Sequence, residues 1–120
     1  MNRFTNVVKL SGIFGQLQAK QFRQDISDLL DVEAMEILVD FEQVTFMDSS
    51  GLGALISVLK TVEAADARLA LCSVRQEVIM LLELADVAQF FEIFPSQDAF
   101  YQAQANYSSD FTVLSSTTIT

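Results

Sequence analysis

Short apolar runs alternate with stretches of helical period along this chain. The runs are rich in Val, Ile, Leu and Phe, as is typical of buried strands, and they lie at residues 6–10, 33–41, 68–72 and 90–94. Between the runs, apolar residues recur every three or four positions, as on the buried face of a helix. These faces comprise Ala19, Phe22, Ile26, Leu29 and Leu30; Leu52, Leu55, Ile56, Leu59 and Val62; Val74, Val78, Leu81, Leu82 and Ala85; and Phe100 with Ala103. The alternation predicts an α/β fold with a mostly parallel sheet covered by helices.

The connections between these elements are short. Residues 11–15 are predicted to form a turn after the first strand, and residues 42–45 lead from the second strand towards a helix at 50–65. Ser96 is of the residue type that caps a helix and precedes the short fourth helix. With 120 residues in all, the chain is long enough for one domain with a core and too short for two.

The last fifteen residues differ in kind. Residues 106–120 are rich in Ser and Thr and have no helical period, which is typical of a disordered tail. We therefore divide the chain into a domain at 1–105 and a tail at 106–120. Residues 110–114 (Asp-Phe-Thr-Val-Leu) nevertheless favour a strand. They are predicted to add to a sheet edge, either in their own chain or in a neighbour's, where they would form a homodimer.

The octapeptide at residues 46–53, Phe-Met-Asp-Ser-Ser-Gly-Leu-Gly, lies where the second strand gives way to the second helix. Asp48, Ser49 and Ser50 are residue types that satisfy the free N–H groups of a helix start. One cap would be enough, and each glycine in a helix costs roughly 1 kcal/mol relative to alanine. Gly51 and Gly53 therefore indicate that another molecule comes close to the backbone. Ligands of parallel sheets also meet the carboxyl ends of strands.

Charge and composition exclude several classes of function. Sixteen acidic residues against seven basic ones give a net charge of −9, which disfavours nucleic acid and acidic membranes and suits a partner with a basic face. No apolar run approaches the length of a membrane span, and the first residues lack the layout of a signal peptide. The single cysteine, Cys72, lies in an apolar run, as expected of a buried residue in a reducing cytosol. We therefore expect a cytoplasmic protein.

The residue types of common enzyme sites are missing. The chain contains no histidine, which excludes a Ser-His-Asp triad and any histidine-containing metal site. Ser50 is not in a Gly-x-Ser-x-Gly elbow, and the glycines form neither a dinucleotide fingerprint nor a phosphate-binding loop. A nucleophilic Ser50 would need a lysine or carboxylate as its base, but Lys9, Lys20 and Lys60 are predicted to face outwards. We predict no enzyme activity, no cofactor and no metal.

The octapeptide resembles the signature of STAS domains of the bacterial anti-sigma factor antagonist type. The resemblance extends from about residue 7 to about residue 105 through the order and spacing of the elements. It implies a STAS-like fold with a mixed, mostly parallel sheet of four or five strands and about four helices. It also implies that the second serine of Asp-Ser-Ser-Gly, which is Ser50 here, is the regulatory phosphorylation site.

The resemblance further implies a partner-switching function. The unphosphorylated protein would bind an anti-sigma factor that is also a serine kinase, phosphorylation of Ser50 would release it, and a metal-dependent serine phosphatase would restore binding. The expected contact residues are Asp48, Ser49, Ser50, Gly51, Leu52 and Gly53, with Ile13 and Phe14 as exposed apolar contacts. The alternatives are a STAS scaffold or small-ligand module without phosphorylation and, less favoured, an enzyme with Ser50 as its nucleophile.

Two departures from the family pattern stand out. Family members commonly carry a Gly-x-Leu-Asp-like loop after the corresponding strand, whereas residues 12–15 are Gly-Ile-Phe-Gly and contain no acid. The family also usually has a strand before the one at residue 7, and residues 1–5 are too short to supply it. The first departure bears on the identity of the partner and on the kinase step.

Overall fold

The computed structural model describes residues 5–105, and its centre is a four-stranded parallel sheet. The strands are β1 (Asn6–Phe14), β2 (Glu36–Met47), β3 (Arg68–Cys72) and β4 (Glu92–Phe94). They lie side by side in chain order, and each neighbouring pair is parallel. The predicted α/β class and parallel sheet are thus confirmed. The predicted strand at 110–114 lies outside the described residues.

Helices connect the strands as predicted. The helices are α1 (Gln16–Asp31), α2 (Ser49–Ala64), α3 (Gln76–Leu84) and α4 (residues 97–105), with a short 3-10 helix at Ala88–Phe90 before β4. The predicted cap of α4 is confirmed, because the Ser96 hydroxyl accepts a hydrogen bond of 2.9 Å from the Ala99 N–H. Among residues 5–105 we find no helix of the length and apolarity that crossing a membrane requires.

Several predicted strand boundaries were wrong. The strands predicted from residues 33 and 90 begin at Glu36 and Glu92, and the larger errors lie at the carboxyl ends of the first two strands. β1 continues to Phe14, where a turn was predicted, and β2 continues to Met47 rather than ending at residue 41. The two extensions pair with each other, with Ile13 opposite Phe46, across register shifts that follow Lys9 and Gly12. The shifts disturb the alternation of apolar and polar positions, so the sequence pattern hides strands that their pairing stabilises.

The core has two layers, one on each face of the sheet. Helices α1, α2 and α3 cover one face, where the larger cluster includes Ile37, Val39 and Leu71. The opposite face carries a smaller cluster in which Phe100 of α4 packs with Leu38, Ala70 and Cys72 of the strands. The faces alternate along each strand because successive side chains point to opposite sides. Helix α4 therefore lies alone against the second face among the helices of residues 5–105.

A polar cluster closes the amino end of the sheet. Glu36, at the start of β2, is only 1% exposed. One of its carboxylate oxygens accepts a hydrogen bond from the Thr5 hydroxyl at 2.7 Å. The other accepts from Arg68 and from the Gln104 amide, both at 2.9 Å. Since a buried carboxylate is costly unless it is paired, this cluster fixes where residues 5 and 104 lie.

Candidate functional site

The junction between β2 and α2 is organised by the carboxylate of Asp48. Asp48 is the N-cap of α2, and its Oδ1 accepts hydrogen bonds from the N–H of Ser50 at 2.9 Å and of Gly51 at 3.1 Å. Its backbone carbonyl also accepts the N–H of Leu52 at 3.0 Å. Of the three candidate capping residues identified in the sequence, Asp48 is thus the one whose side chain caps the helix. An N-cap of this kind contributes about 0.5–2 kcal/mol to stability.

Because Asp48 performs the capping, the two serine hydroxyls are available for other chemistry. Ser49 and Ser50 are the first two residues of α2, and both are exposed. None of the side-chain hydrogen bonds found among residues 5–105 uses either hydroxyl. Ser50 therefore lies at a helix N-terminus, where the helix dipole and free N–H groups favour negative charge, with its oxygen open to solvent.

Gly51 is required by the protein's own packing. A Cβ atom at this position would lie 2.1 Å from the Phe14 carbonyl oxygen and 3.0 Å from Met47 Cγ, so no other residue fits without a shift of the backbone. Gly51 is buried, so its small size serves the contact between α2 and the end of β1. The expectation that Gly51 admits another molecule was therefore wrong.

Gly53 behaves in the opposite way. It is exposed, and a Cβ built on it would meet no atom within 4 Å. The surface at Gly53 is therefore open, so another molecule has room to approach the backbone there. Leu52 between the two glycines is partly buried and packs against the main core.

The two apolar residues predicted as exposed contacts after the first strand differ in their exposure. Ile13 is 59% exposed, as expected of a contact residue. Phe14 is fully buried, and its ring packs edge-on against Phe22 and Phe41 at centroid distances of 5.4 and 6.0 Å. The prediction that Phe14 is an exposed contact was wrong, because β1 continues through both residues and adjacent side chains of a strand point to opposite faces.

Two further exposed apolar residues were not among the predicted contacts. Phe46 lies opposite Ile13 in the β1–β2 pair and is 57% exposed. Leu17, in the first turn of α1, is 84% exposed. The sequence held a signal for Leu17, since it falls off the apolar face that Ala19 and Phe22 mark. We call Ile13, Leu17, Phe46 and the exposed serines the junction surface.

Asp48 also connects the junction surface to α1. A Cβ at Gly15, the N-cap of α1, would lie 2.8 Å from Asp48 Oδ2. Gly15 contributes no side-chain cap of its own. The carboxylate therefore has one oxygen on the N-terminus of α2 and the other beside that of α1, where each helix dipole is positive.

The remaining candidate chemistry is unreactive. The Cys72 thiol is buried, and burial, with the nearby Asp40 carboxylate, raises its pKa from 9.0 to about 11. A thiol of this kind is a core residue rather than a nucleophile. Residues 5–105 contain no cluster of potential metal ligands.

Comparison with known proteins agrees with this geometry. A family model for the STAS domain matches residues 5–99. An anti-sigma F factor antagonist of Paenibacillus polymyxa is 29% identical over 93 residues, which are 77% of this chain and 77% of that protein.

Two solved structures share the fold. A candidate anti-sigma factor antagonist from Thermotoga maritima superposes with a TM-score of 0.73 at 21% identity, over 85% of this chain and 90% of the other. The phosphorylated form of SpoIIAA, a Bacillus cell fate determinant, superposes with a TM-score of 0.66 at 24% identity, over 85% of this chain and 93% of the other.

Proposed function

This chain belongs to the STAS domain family, and on that premise we propose that it is an anti-sigma factor antagonist controlled by phosphorylation of Ser50. In the unphosphorylated state it binds an anti-sigma factor that is also a serine kinase. The observation that carries the proposal is that the capping residue and the exposed hydroxyl at the start of α2 are different residues. Asp48 caps the helix, so that the exposed Ser50 hydroxyl has no structural task.

The chemistry of the switch follows from that position. The kinase transfers the γ-phosphoryl group of ATP to Ser50 Oγ, which loses its proton as the new O–P bond forms and the bond to ADP breaks. The phosphate adds about −1.5 to −2 charges at neutral pH. At a helix N-terminus this charge is tolerated by the fold. Its effect is on the interface, where bulk and added charge beside Asp48 separate the partners. A metal-dependent serine phosphatase restores the hydroxyl by hydrolysis.

Apolar contacts supply the affinity for the partner, and the charge added by phosphorylation of Ser50 opposes it. Ile13 and Phe46 form an exposed pair across β1 and β2, and Leu17 is a further exposed apolar residue in the first turn of α1. Exposed apolar residues next to a modifiable hydroxyl suit an interface that closes over the serine. Ser49 and Gly53 lie within the same contact area. We assign the protein to the cytoplasm, where such kinases and their sigma factors act.

The experiment that tests the proposal maps the phosphate and measures binding. The purified protein is incubated with ATP and candidate anti-sigma kinases from the same cells, and the modified residue is located by mass spectrometry. We expect phosphate on Ser50. Ser50→Ala should bind the partner constitutively, and Ser50→Asp should bind on the order of tenfold more weakly, which corresponds to about 1.4 kcal/mol.

Ser49→Ala is the matched control because it removes the neighbouring exposed hydroxyl from the same helix turn. It should leave phosphate incorporation close to that of the wild type. All three variants should melt near the wild-type temperature, since the Asp48 cap remains in each. Phosphate on Ser49, or full binding by Ser50→Asp, would refute the switch. A protein from native cells that is never phosphorylated would instead indicate a STAS scaffold.

A further inference from the structure

The β1–β2 pair continues beyond the rest of the sheet at its carboxyl end. β3 pairs with β2 only as far as Asp40, which lies opposite Cys72, whereas β2 continues to Met47. Past Asp40, β1 is the only described strand that pairs with β2, and residues 11–14 then lie beside residues 43–47. We call these two segments the β1–β2 arm. Two strands alone are marginally stable, so the arm depends on the groups that pack against it.

The β1–β2 arm carries the residues of the proposed function. Ile13 and Phe46 lie opposite each other in it, and both are more than half exposed. Its second strand leads directly into Asp48 and Ser50, and the Asp48 N–H donates to the Phe14 carbonyl at 3.4 Å. The orientation of the arm therefore determines where these groups meet a partner.

The base of the arm is irregular. Its two register shifts lie between Lys9 and Ser11 and between Gly12 and Ile13. Gly12 has a φ of +69°, in the left-handed region that favours glycine. Irregularities of this kind interrupt the ladder of hydrogen bonds and bend the strand. We therefore expect the arm to tilt at this point unless other groups hold it.

Two side chains from different helices hold the arm at this level. Gln18 of α1 donates from Nε2 to the Ser11 carbonyl at 2.7 Å. Arg75, the N-cap of α3, donates from Nε to the Val44 carbonyl at 2.8 Å. Val44 pairs with Gly12, so both acceptors lie between the two register shifts. These bonds satisfy strand carbonyls and fix the base of the arm to both helices.

From this geometry we propose that Gln18 and Arg75 are positioning residues, which clamp the base of the arm and thereby orient the contact residues and Ser50 for the partner. The purpose of the clamp rests on the proposed function, whereas its geometry does not. When the clamp is removed, the arm tilts at the register shifts in a fraction of the molecules. The apparent affinity for the partner falls by the fraction that stays oriented.

Hydrogen exchange on the protein alone tests the clamp. Arg75→Ala should speed exchange of the paired amides of the arm on the order of tenfold, because a hydrogen bond from a charged group is lost. Gln18→Ala removes a neutral donor and should speed it about fivefold. At low urea concentrations these rates should be nearly independent of urea, since a local tilt exposes little surface. The amides of β3 should instead follow global unfolding.

Three variants serve as controls. Arg75→Lys should restore most of the protection, because a single carbonyl needs one donor and not the guanidinium fork. Arg23→Ala removes the same charge from an exposed position of α1, and Gln21→Ala removes an amide that bonds Asp25 within α1. Both should leave exchange in the arm at the wild-type rate. Equal rates in Arg75→Ala and Arg23→Ala, or arm exchange that follows global unfolding, would overturn the clamp.

Kinetics with the kinase that phosphorylates the wild type test the positioning role. Arg75→Ala should raise the KM for phosphorylation of Ser50 about fivefold and leave kcat near the wild-type value, because the bound complex contains only oriented arms. Arg75→Lys should restore the KM. Faster exchange with an unchanged KM would overturn the positioning role. If no kinase phosphorylates the wild type, the Ser50 switch fails instead, and the exchange rates still decide the clamp.

Discussion

At the scale of single residues, the two glycines of the octapeptide have opposite surroundings, because Gly51 is tightly packed and Gly53 is open. Gly51→Ala places a methyl group against the Phe14 carbonyl, so β1 or α2 must move, and we expect a loss of about 1–3 kcal/mol in the free energy of unfolding. Gly53→Ala meets no atom within 4 Å and should gain about 0.5–1 kcal/mol from helix propensity. Urea denaturation of both variants checks this, and a stable Gly51→Ala protein would contradict the packing assigned to Phe14.

Asp48 caps α2 and also lies beside Ser50. Asp48→Ala removes two hydrogen bonds to α2 and should cost about 0.5–2 kcal/mol, which a domain of this size tolerates. We expect the same substitution to weaken phosphorylation of Ser50 or partner binding more than it weakens the fold. Asp48→Asn retains a good cap while removing the charge, and therefore separates the two tasks. If Asp48→Ala unfolds the protein while its folded fraction is phosphorylated normally, the residue is structural only.

Cys72 gives the stability a dependence on alkaline pH. Its pKa is raised from 9.0 to about 11 in the folded protein, so the folded state holds the proton more tightly than the unfolded state. This contribution is complete below pH 9 and is lost as the pH rises towards 11, by at most about 1.4 kcal/mol per pH unit. The difference between the wild type and Cys72→Ala, measured by urea denaturation at several pH values, isolates it from the lysines and tyrosines. A difference that is constant from pH 8 to 11 would contradict the raised pKa.

At the scale of elements, the position of α4 depends on the amino-end cluster. Arg68 donates to the buried Glu36 and to the exposed Glu92, and its guanidinium lies 5.1 Å from the centre of the Phe100 ring in α4. The hydrogen bond to Glu92 is the main reason that the pKa of Arg68 is raised. Arg68→Met removes one charged hydrogen-bond donor from the buried Glu36 carboxylate and should cost about 3 kcal/mol. Thermal denaturation and hydrogen exchange in α4 measure the effect.

Glu92→Gln is the matched control for that prediction. It removes the other carboxylate partner of Arg68, but this one is half exposed and should cost at most about 1 kcal/mol. Equal losses in the two variants would indicate that burial of Glu36 does not decide the stability of the cluster.

The helices and strands also show which parts of the fold could be predicted from the sequence. Strands β2 and β3 were predictable because buried parallel strands are continuously apolar, and α1 and α2 because their apolar faces are periodic. The pairing of residues 11–14 with 43–47 was not, since the register shifts and the consecutive exposed pairs Glu42–Gln43 and Thr45–Phe46 break the alternation there. The role of Gly51 needed the partner strand to be in place, because the atom that excludes a side chain there is the distant Phe14 carbonyl.

At the scale of the whole molecule, the charge of −9 should govern the rate of complex formation. If the anti-sigma partner presents a basic face, electrostatic attraction steers the encounter. Raising the ionic strength from about 0.05 to 0.5 M should then lower the association rate constant by about tenfold, with a smaller change in dissociation. Stopped-flow mixing at several salt concentrations measures both constants. An association rate that is indifferent to salt would exclude steering by the net charge.

The shared carboxylate of Glu36 has a consequence for protein engineering. Since residues 5 and 104 meet on its two oxygens at the amino end of the sheet, a short glycine linker between them could close the domain into a ring. A new opening at the exposed turn around Asp66 would then give a circular permutant with the same strand order. For the same reason the domain could be grafted into a surface loop of a host protein. Both new connections would lie at the end of the sheet opposite to Ser50, which leaves the surface around Ser50 facing away from the host.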